Sequence, residues 1–115
     1  MPYDGSLFGA LPLETGRVLL HGLRGHILRS DDHGGTWTEE PNPVEVLIMG
    51  ACRLGNGALV LGGQGGNFFI SRDDGVTFKH WKPADFGTSV ASVLDAGDGA
   101  VLALGEAGAT RLTIP

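Results

Sequence analysis

Two eight-residue stretches repeat the same reactive side chains at the same spacing. Ser30-Asp31-Asp32-His33-Gly34-Gly35-Thr36-Trp37 and Ser71-Arg72-Asp73-Asp74-Gly75-Val76-Thr77-Phe78 each set a serine, a carboxylate, a glycine, a threonine and an aromatic ring in one order. A carboxylate flanked by hydroxyls could serve acid–base chemistry or a hard cation. A cation site needs several converging oxygens, and one carboxylate per stretch falls short of that. The same residue types also build a tight turn. An aspartate there accepts backbone N–H bonds, and a glycine supplies the positive φ that other residues resist. On this reading Ser30, Asp32, Gly34, Thr36 and Trp37, and likewise Ser71, Asp73, Gly75, Thr77 and Phe78, are structural. Asp32 and Asp73 staple the turn, Thr36 and Thr77 open the returning strand and offer a hydroxyl to the loop, and Trp37 and Phe78 pack beneath it. No catalytic, cofactor-binding or metal-binding role is expected of them.

Other groups fall short of a reactive constellation. His21, His26 and His33 invite a zinc reading, but their spacing fits no helical metal motif. On a hairpin His21 and His26 would face each other across two strands. His80 precedes Trp81, and a surface role is expected. Gly62-Gly63-Gln64-Gly65-Gly66 has the look of a phosphate loop, yet such a loop needs a following helix whose N-terminus meets the anion, and a strand-like run follows. Cys52 is the single cysteine, so it forms no intrachain disulfide and reads as a small buried hydrophobe. Arg17, Arg24 and Arg29 would make a local basic patch, against which the neighbouring acids Asp31 and Asp32 weigh.

The elements that hold these residues repeat. Gly16-Arg17-Val18-Leu19 returns 41 residues later as Gly57-Ala58-Leu59-Val60, and Gly22, Gly25, Ser30, Asp32, Gly34, Thr36 and Trp37 are answered at the same offset by Gly63, Gly66, Ser71, Asp73, Gly75, Thr77 and Phe78. A third copy opens at Asp98-Gly99-Ala100-Val101, shifted by 42, with Gly105, Gly108 and Leu112 answering Gly63, Gly66 and Ile70. A period near 41 with strand-like content reads as blades of a β-propeller, each a four-stranded antiparallel sheet. The expected strands are 7–13, 18–22, 26–30 and 36–39 in the first unit, 46–54, 58–62, 67–71 and 77–81 in the second, and 89–96, 100–104 and 110–114 in the third. The second strand of each unit is apolar throughout, as a strand covered on both faces should be. No segment sustains a 3.6-residue apolar period. The fold class expected is therefore all-β, a propeller segment of nearly three blades, with boundaries at about 5–41, 44–82 and 88–115 in a single domain spanning 1–115.

Five specified positions at roughly one in twenty each give about one chance match in a few million starts. Two matches in phase with the repeat are not coincidence. The motif resembles the Asp-box, or bacterial neuraminidase repeat, and the chain is most similar to the photosystem II stability/assembly-factor-like branch of Asp-box propellers. Gly25-His26-Ile27-Leu28-Arg29-Ser30 and Gly105-Glu106-Ala107-Gly108 look like the last blades of such proteins. The resemblance covers about residue 7 onward and is specific for fold more than for function. It implies a non-enzymatic binding or scaffold module, such as an assembly factor for a protein complex. The alternative is a carbohydrate-binding or sialidase-like propeller. A sialidase site uses an arginine cluster, an acid/base aspartate and a tyrosine nucleophile with a glutamate partner. Here the one tyrosine is Tyr3, near the start, and the arginines are scattered, so the chain is read as no enzyme. Sugar binding would need exposed aromatics around a pocket, with Trp37, Trp81 and Phe86 as candidates.

Composition narrows the rest. Glycine accounts for 20 of 115 residues, far above the usual ~7%, without the strict triplet of collagen. That suits many tight turns between short strands. With 13 acidic against 8 basic residues and a net charge of −5, the chain lacks the electrostatic footprint of a nucleic-acid binder. No cofactor is expected. No run approaches the ~18 apolar residues of a membrane helix, and no signal peptide precedes the first strand, so the default location is cytoplasmic. Pro41-Asn42-Pro43 and Lys82-Pro83-Ala84-Asp85-Phe86-Gly87 read as connections between blades, the second long enough to project as a binding loop. Glu39-Glu40 reads as a charged outer edge that discourages edge pairing. Propellers close at about four to eight blades, so two apolar faces are left uncovered. The expected remedy is a homo-oligomer, a dimer closing a six-bladed ring, with residues 1–4 of each chain lending an outer strand to its neighbour; the alternative is that the chain is the C-terminal part of a longer propeller.

Overall fold

The computed structural model describes residues 7–13, 16–40, 44–84 and 86–115. Tyr3, the 1–4 segment and Pro41-Asn42-Pro43 lie outside them. The described residues form three antiparallel sheets in chain order. The first runs β1 (Leu7–Pro12), β2 (Val18–Gly22), β3 (Ile27–Ser30) and β4 (Thr38–Glu40). The second runs β5 (Ile48–Arg53), β6 (Leu59–Gly63), β7 (Phe68–Ser71) and β8 (Lys79–Trp81). The third runs β9 (Val90–Gly97), β10 (Ala100–Gly105) and β11 (Gly108–Thr113). Each strand pairs with its neighbour in sequence, so every sheet is a meander, and the leading strands β1, β5 and β9 pack side by side.

Alternation along each strand sends side chains to opposite faces, and this builds two cores between three sheets. From β6 and β7, Val60, Phe68 and Ile70 point one way and meet Val90, Val93, Val101, Ala103 and Ile114 of the third sheet and its tail. Leu61 and Phe69 point the other way and, with Ile48, meet Ile27 of the first sheet. The middle sheet is thus apolar on both faces because it is covered on both. Burial of a side chain the size of Phe68 contributes about 2–3 kcal/mol of transfer free energy.

Several strands begin later than the residue types suggest, each for a local reason. The fourth strands open at Thr38 and Lys79 rather than Thr36 and Thr77, because the N–H groups of Thr36 and Thr77 are spent on carboxylates inside the turn. β5 opens at Ile48 because both backbone groups of Leu47 are engaged by Gln64. The Gln64 N–H donates to the Leu47 carbonyl (2.9 Å), and the Leu47 N–H donates to Gln64 Oε1 (3.4 Å). The third sheet repeats the clasp between Ser89 and Glu106, at 3.2 and 2.9 Å. Gly63 and Gly105 let the chains meet there: a Cβ would stand 1.9 Å from the Leu47 carbonyl oxygen or 2.2 Å from that of Ser89.

Two features depart from a strict repeat. Each sheet carries a bulge near the start of its leading strand, marked by register breaks at Leu7/Gly9, Ile48/Gly50 and Leu104/Gly105. The third sheet also has a shorter turn between its second and third strands. Gly105 pairs with Gly108 across Glu106-Ala107, whereas Gly63 closes on Asn67 across three residues. Gly108 therefore answers Asn67 rather than Gly66. The cross-strand pairs Leu19–Arg29, Val60–Ile70 and Leu102–Arg111 are structurally equivalent, so Arg111, not Leu112, answers Ile70.

Candidate functional site

The two Ser–Asp–Gly–Thr turns join the third and fourth strands of the first two sheets and have one internal bonding scheme. The Ser30 hydroxyl donates to Asp32 Oδ1 (2.8 Å) and accepts the N–H of Gly34 (2.8 Å). Asp32 then accepts the Thr36 N–H and the Thr36 hydroxyl, both at 2.8 Å. Ser71, Asp73, Gly75 and Thr77 reproduce every one of these bonds within 0.3 Å. Both serines are fully buried. The hydrogen bonds from the Thr36 backbone and hydroxyl and from Ser30 hold the Asp32 carboxyl at about 2. At Asp73 burial pushes upward, but bonds from Thr77 and Ser71 outweigh it and hold the carboxyl at about 2 as well. Such acids are ionised acceptors at neutral pH, unsuited to carrying a proton there.

The left-handed step spans two residues, not one. Gly34 and Gly75 have φ of 92° and 89°, and the residues before them, His33 and Asp74, both stand at 59°. Trp37 lies close to the first turn, with its ring 3.6 Å from where a Gly34 Cβ would be. Phe78 packs on the core between the first and second sheets.

The turns differ in what surrounds them. The second lies against the first sheet: a Cβ on Gly75 would stand 3.1 Å from Leu19, and Gly75 itself is buried. Arg17 and Arg29 clasp it there. Arg17 Nη1 donates to the Asp74 carbonyl (2.8 Å) and pairs with its carboxylate (3.2 Å), and Arg29 Nη1 donates to the Gly75 carbonyl (3.4 Å). Both arginines also reach Asp31 of the first turn, at 2.6 and 3.3 Å. Arg17 thus ties the two turns together. Neither arginine repeats in the second sheet, where Ala58 and Ile70 stand, so no periodic signal announced this bridge. It also consumes the nearest approach to an arginine cluster, since each guanidinium already faces a carboxylate.

The remaining candidates disperse. His21 is buried, its ring beside Gly9 and its Nδ1 donating to the Ile48 carbonyl (2.8 Å). Burial lowers its pKa, and that hydrogen bond offsets the shift in part. His26 pairs with Glu39, His33 lies against Gly16, and His80 bonds Asn67 (2.7 Å). Among the described residues no group of three or more His, Cys, Asp or Glu stands together as a metal site. Cys52 is half-buried against the core between the second and third sheets, and burial, then the charge of Asp95, push its thiol up to about 11. Gly62 to Gly66 closes a hairpin into β7, with a 3₁₀ turn at Gln64–Gly66. Trp81 and Phe86 both pack on Phe68, with ring centroids 5.2 and 6.0 Å apart. Two of the three aromatics considered for sugar stacking are thus used in the core.

Two open surfaces among the described residues bear on binding. A cleft of about 430 Å³ lies beside the second turn, lined by Ile70, Arg72, Asp73, Thr77, Phe78 and Lys79 and closed by Pro115. The outer face of the third sheet is the other. Val101 and Ala103 point into the core between the second and third sheets, so Leu102 and Leu104 point away from it. Leu94 lies opposite Leu102 and is 49% exposed, and Arg111 flanks Leu102 on the other side.

Adjoining antiparallel meanders of four, four and three strands, leading strand against leading strand, are blades, and the fold is that of a β-propeller segment. Several solved structures share it, among them two that cover nearly the whole of this chain. YCF48 bound to D1 peptide superposes with a TM-score of 0.83 at 14% identity, over 98% of this chain and 38% of that one. A catalytically inactive virginiamycin B lyase from Staphylococcus aureus, solved with quinupristin, superposes with a TM-score of 0.63 at 19% identity, over 100% of this chain and 44% of that one. The chain therefore spans less than half the length of either. No protein-family model and no curated protein matches the sequence. Among the described residues no helix is long and apolar enough to cross a membrane.

Proposed function

We propose that the chain is a non-enzymatic, protein-binding scaffold of the Asp-box propeller type, acting as a single unit over residues 1–115. The observation that carries this reading is the outer face of the third sheet, where Leu94, Leu102 and Leu104 form an apolar strip beside β11, which pairs with β10 alone among the described strands. Such a strip suits a polypeptide partner more than a small polar ligand. The fold neighbour solved with a bound peptide supports the same direction. An assembly role for a protein complex is the finer form of the proposal, as is completion of the propeller by further copies of the chain. The turn residues Ser30, Asp32, Gly34, Thr36 and Trp37, with Ser71, Asp73, Gly75, Thr77 and Phe78, are assigned to holding the blades rather than to binding or catalysis.

The carbohydrate reading is disfavoured by the packing of Trp81 and Phe86 on Phe68 and by the neutralised Arg17 and Arg29. An NMR titration of the dilute ¹⁵N-labelled chain separates the two. A panel of short peptides with mixed apolar and acidic residues is expected to shift amides of β9 to β11, and sialyllactose is expected to shift none. Shifts with the sugar alone would overturn the proposal.

A further inference from the structure

The contact between the first two blades has a definable grammar. From the first blade, Leu19 and its cross-strand partner Arg29 meet the turn of the second, Leu19 under Gly75 and Arg29 on the Gly75 carbonyl. The third blade presents the same pair on its outer face. Leu102 holds the position of Leu19, and its cross-strand partner Arg111 holds the position of Arg29. Arg111 is exposed and rests on the Gly97 carbonyl at 3.3 Å. The second blade lacks this arginine, carrying Ile70 there, and the blade after it brings no such turn among the described residues. The arginine therefore occurs where a turn-bearing blade follows, and once more on the face that no blade of this chain covers.

The chain also holds a turn of the matching kind whose glycine carbonyl, at Gly34, meets no arginine among the described residues, although Arg17 and Arg29 reach its Asp31. Gly34 is half-exposed where Gly75 is buried, and Asp31 and Asp32 beside it are exposed acids. We propose that a second copy of this chain docks its first blade on the outer face of the third, with Arg111 donating to the Gly34 carbonyl of that copy and Leu102 packing beneath the glycine. Charge agrees through the exposed Asp32, since Asp31 already faces Arg17 and Arg29 within the chain. The inference rests on the scaffold reading above and specifies one partner for it.

Light scattering and sedimentation from about 10 µM to about 1 mM test it. The wild-type chain is expected to reach at least twice the 12.0 kDa of the single chain. Arg111→Glu and Leu102→Glu are each expected to raise the dissociation constant at least about tenfold, whereas Glu45→Lys, on an exposed residue far from this face, leaves it unchanged. Far-UV circular dichroism confirms that each variant remains folded. Because the contact joins unlike surfaces, mixing Arg111→Glu with Leu20→Glu, whose defect lies on the opposite face of the first blade, restores one intact contact and hence a heterodimer. A wild-type chain that stays at 12.0 kDa throughout overturns the inference, as does association that survives both third-blade variants or fails to return on mixing. The peptide titration is read on dilute chain, so the scaffold reading stands or falls on that titration whatever the outcome here.

Discussion

The turn after β3 and the turn after β7 have the same hydrogen bonds and different surroundings. Inside each, one serine hydroxyl and one carboxylate satisfy the same donors within 0.3 Å of one another. Outside, the second is buried against Leu19 and clasped by Arg17 and Arg29, while the first leaves Gly34 half-exposed. A short motif thus sets a conformation through its own side chains, and what that conformation meets is decided by residues elsewhere in the chain. Motif residues report on fold; the unrepeated arginines report on how blades join.

The glycines should separate the two turns most strongly. Gly75→Ala forces a Cβ into left-handed backbone, at about 1–2 kcal/mol, and against Leu19, at about 1–3 kcal/mol more. Gly34→Ala meets only the backbone cost, because its nearest neighbour, the Trp37 ring, is at ordinary contact distance. Chemical denaturation of both variants is expected to show the larger loss at Gly75, and equal losses would break the comparison. The serines should not separate the turns at all. Ser30→Ala and Ser71→Ala each remove a fully buried hydroxyl that accepts two backbone N–H groups and donates to the turn carboxylate. Each is expected to cost about 1–3 kcal/mol, with the two values alike.

Acid should act on both turns together. The folded pKa values of Asp32 and Asp73 are depressed to about 2. Depression means that the stabilisation is fully present above the unfolded value of about 3.9 and is lost as pH falls through about 2. The lowered pKa of His21 adds an earlier loss, beginning as pH drops below about 6.5, where the unfolded chain takes up the proton first. Denaturant midpoints measured from pH 7 to pH 2 are expected to fall in these two stages, with the lower stage reduced in Asp32→Asn and Asp73→Asn. The smallest effect belongs to the bridge. Arg17→Ala removes partly exposed ion pairs and is expected to cost about 0.2–1 kcal/mol, with increased amide exchange at the second turn rather than the first.

The all-β repeat was legible because its turns need particular residues. Ser–Asp–Gly–Thr cannot be shuffled without losing bonds, so it marks the period, and the apolar second strands mark the sandwiched layers. The clasp of Leu47 by Gln64 was not legible, since its backbone half leaves no residue preference and its side-chain half changes from Gln64 to Glu106. The bulges were hidden for the same reason, as the inserted position carries Phe8, Met49 or Ala91 with no common chemistry. The shorter turn at Glu106-Ala107 moved the register of β11 by one residue, and glycine matching alone aligned Gly108 to the wrong partner. Arg17 and Arg29 were visible only as scattered charges, because the contacts they make with the second turn span more than one whole repeat.

The central claim is that the outer face of the third blade is a further instance of the contact between the first two. Arg111 and Arg29 are therefore the pair to watch, through their side-chain Nε–H signals in a dilution series of the ¹⁵N-labelled chain. Arg29 already holds its turn within the chain, so its signal is expected to stay fixed while that of Arg111 moves with concentration. A fixed Arg111 signal, or equal movement of both, would contradict the claim.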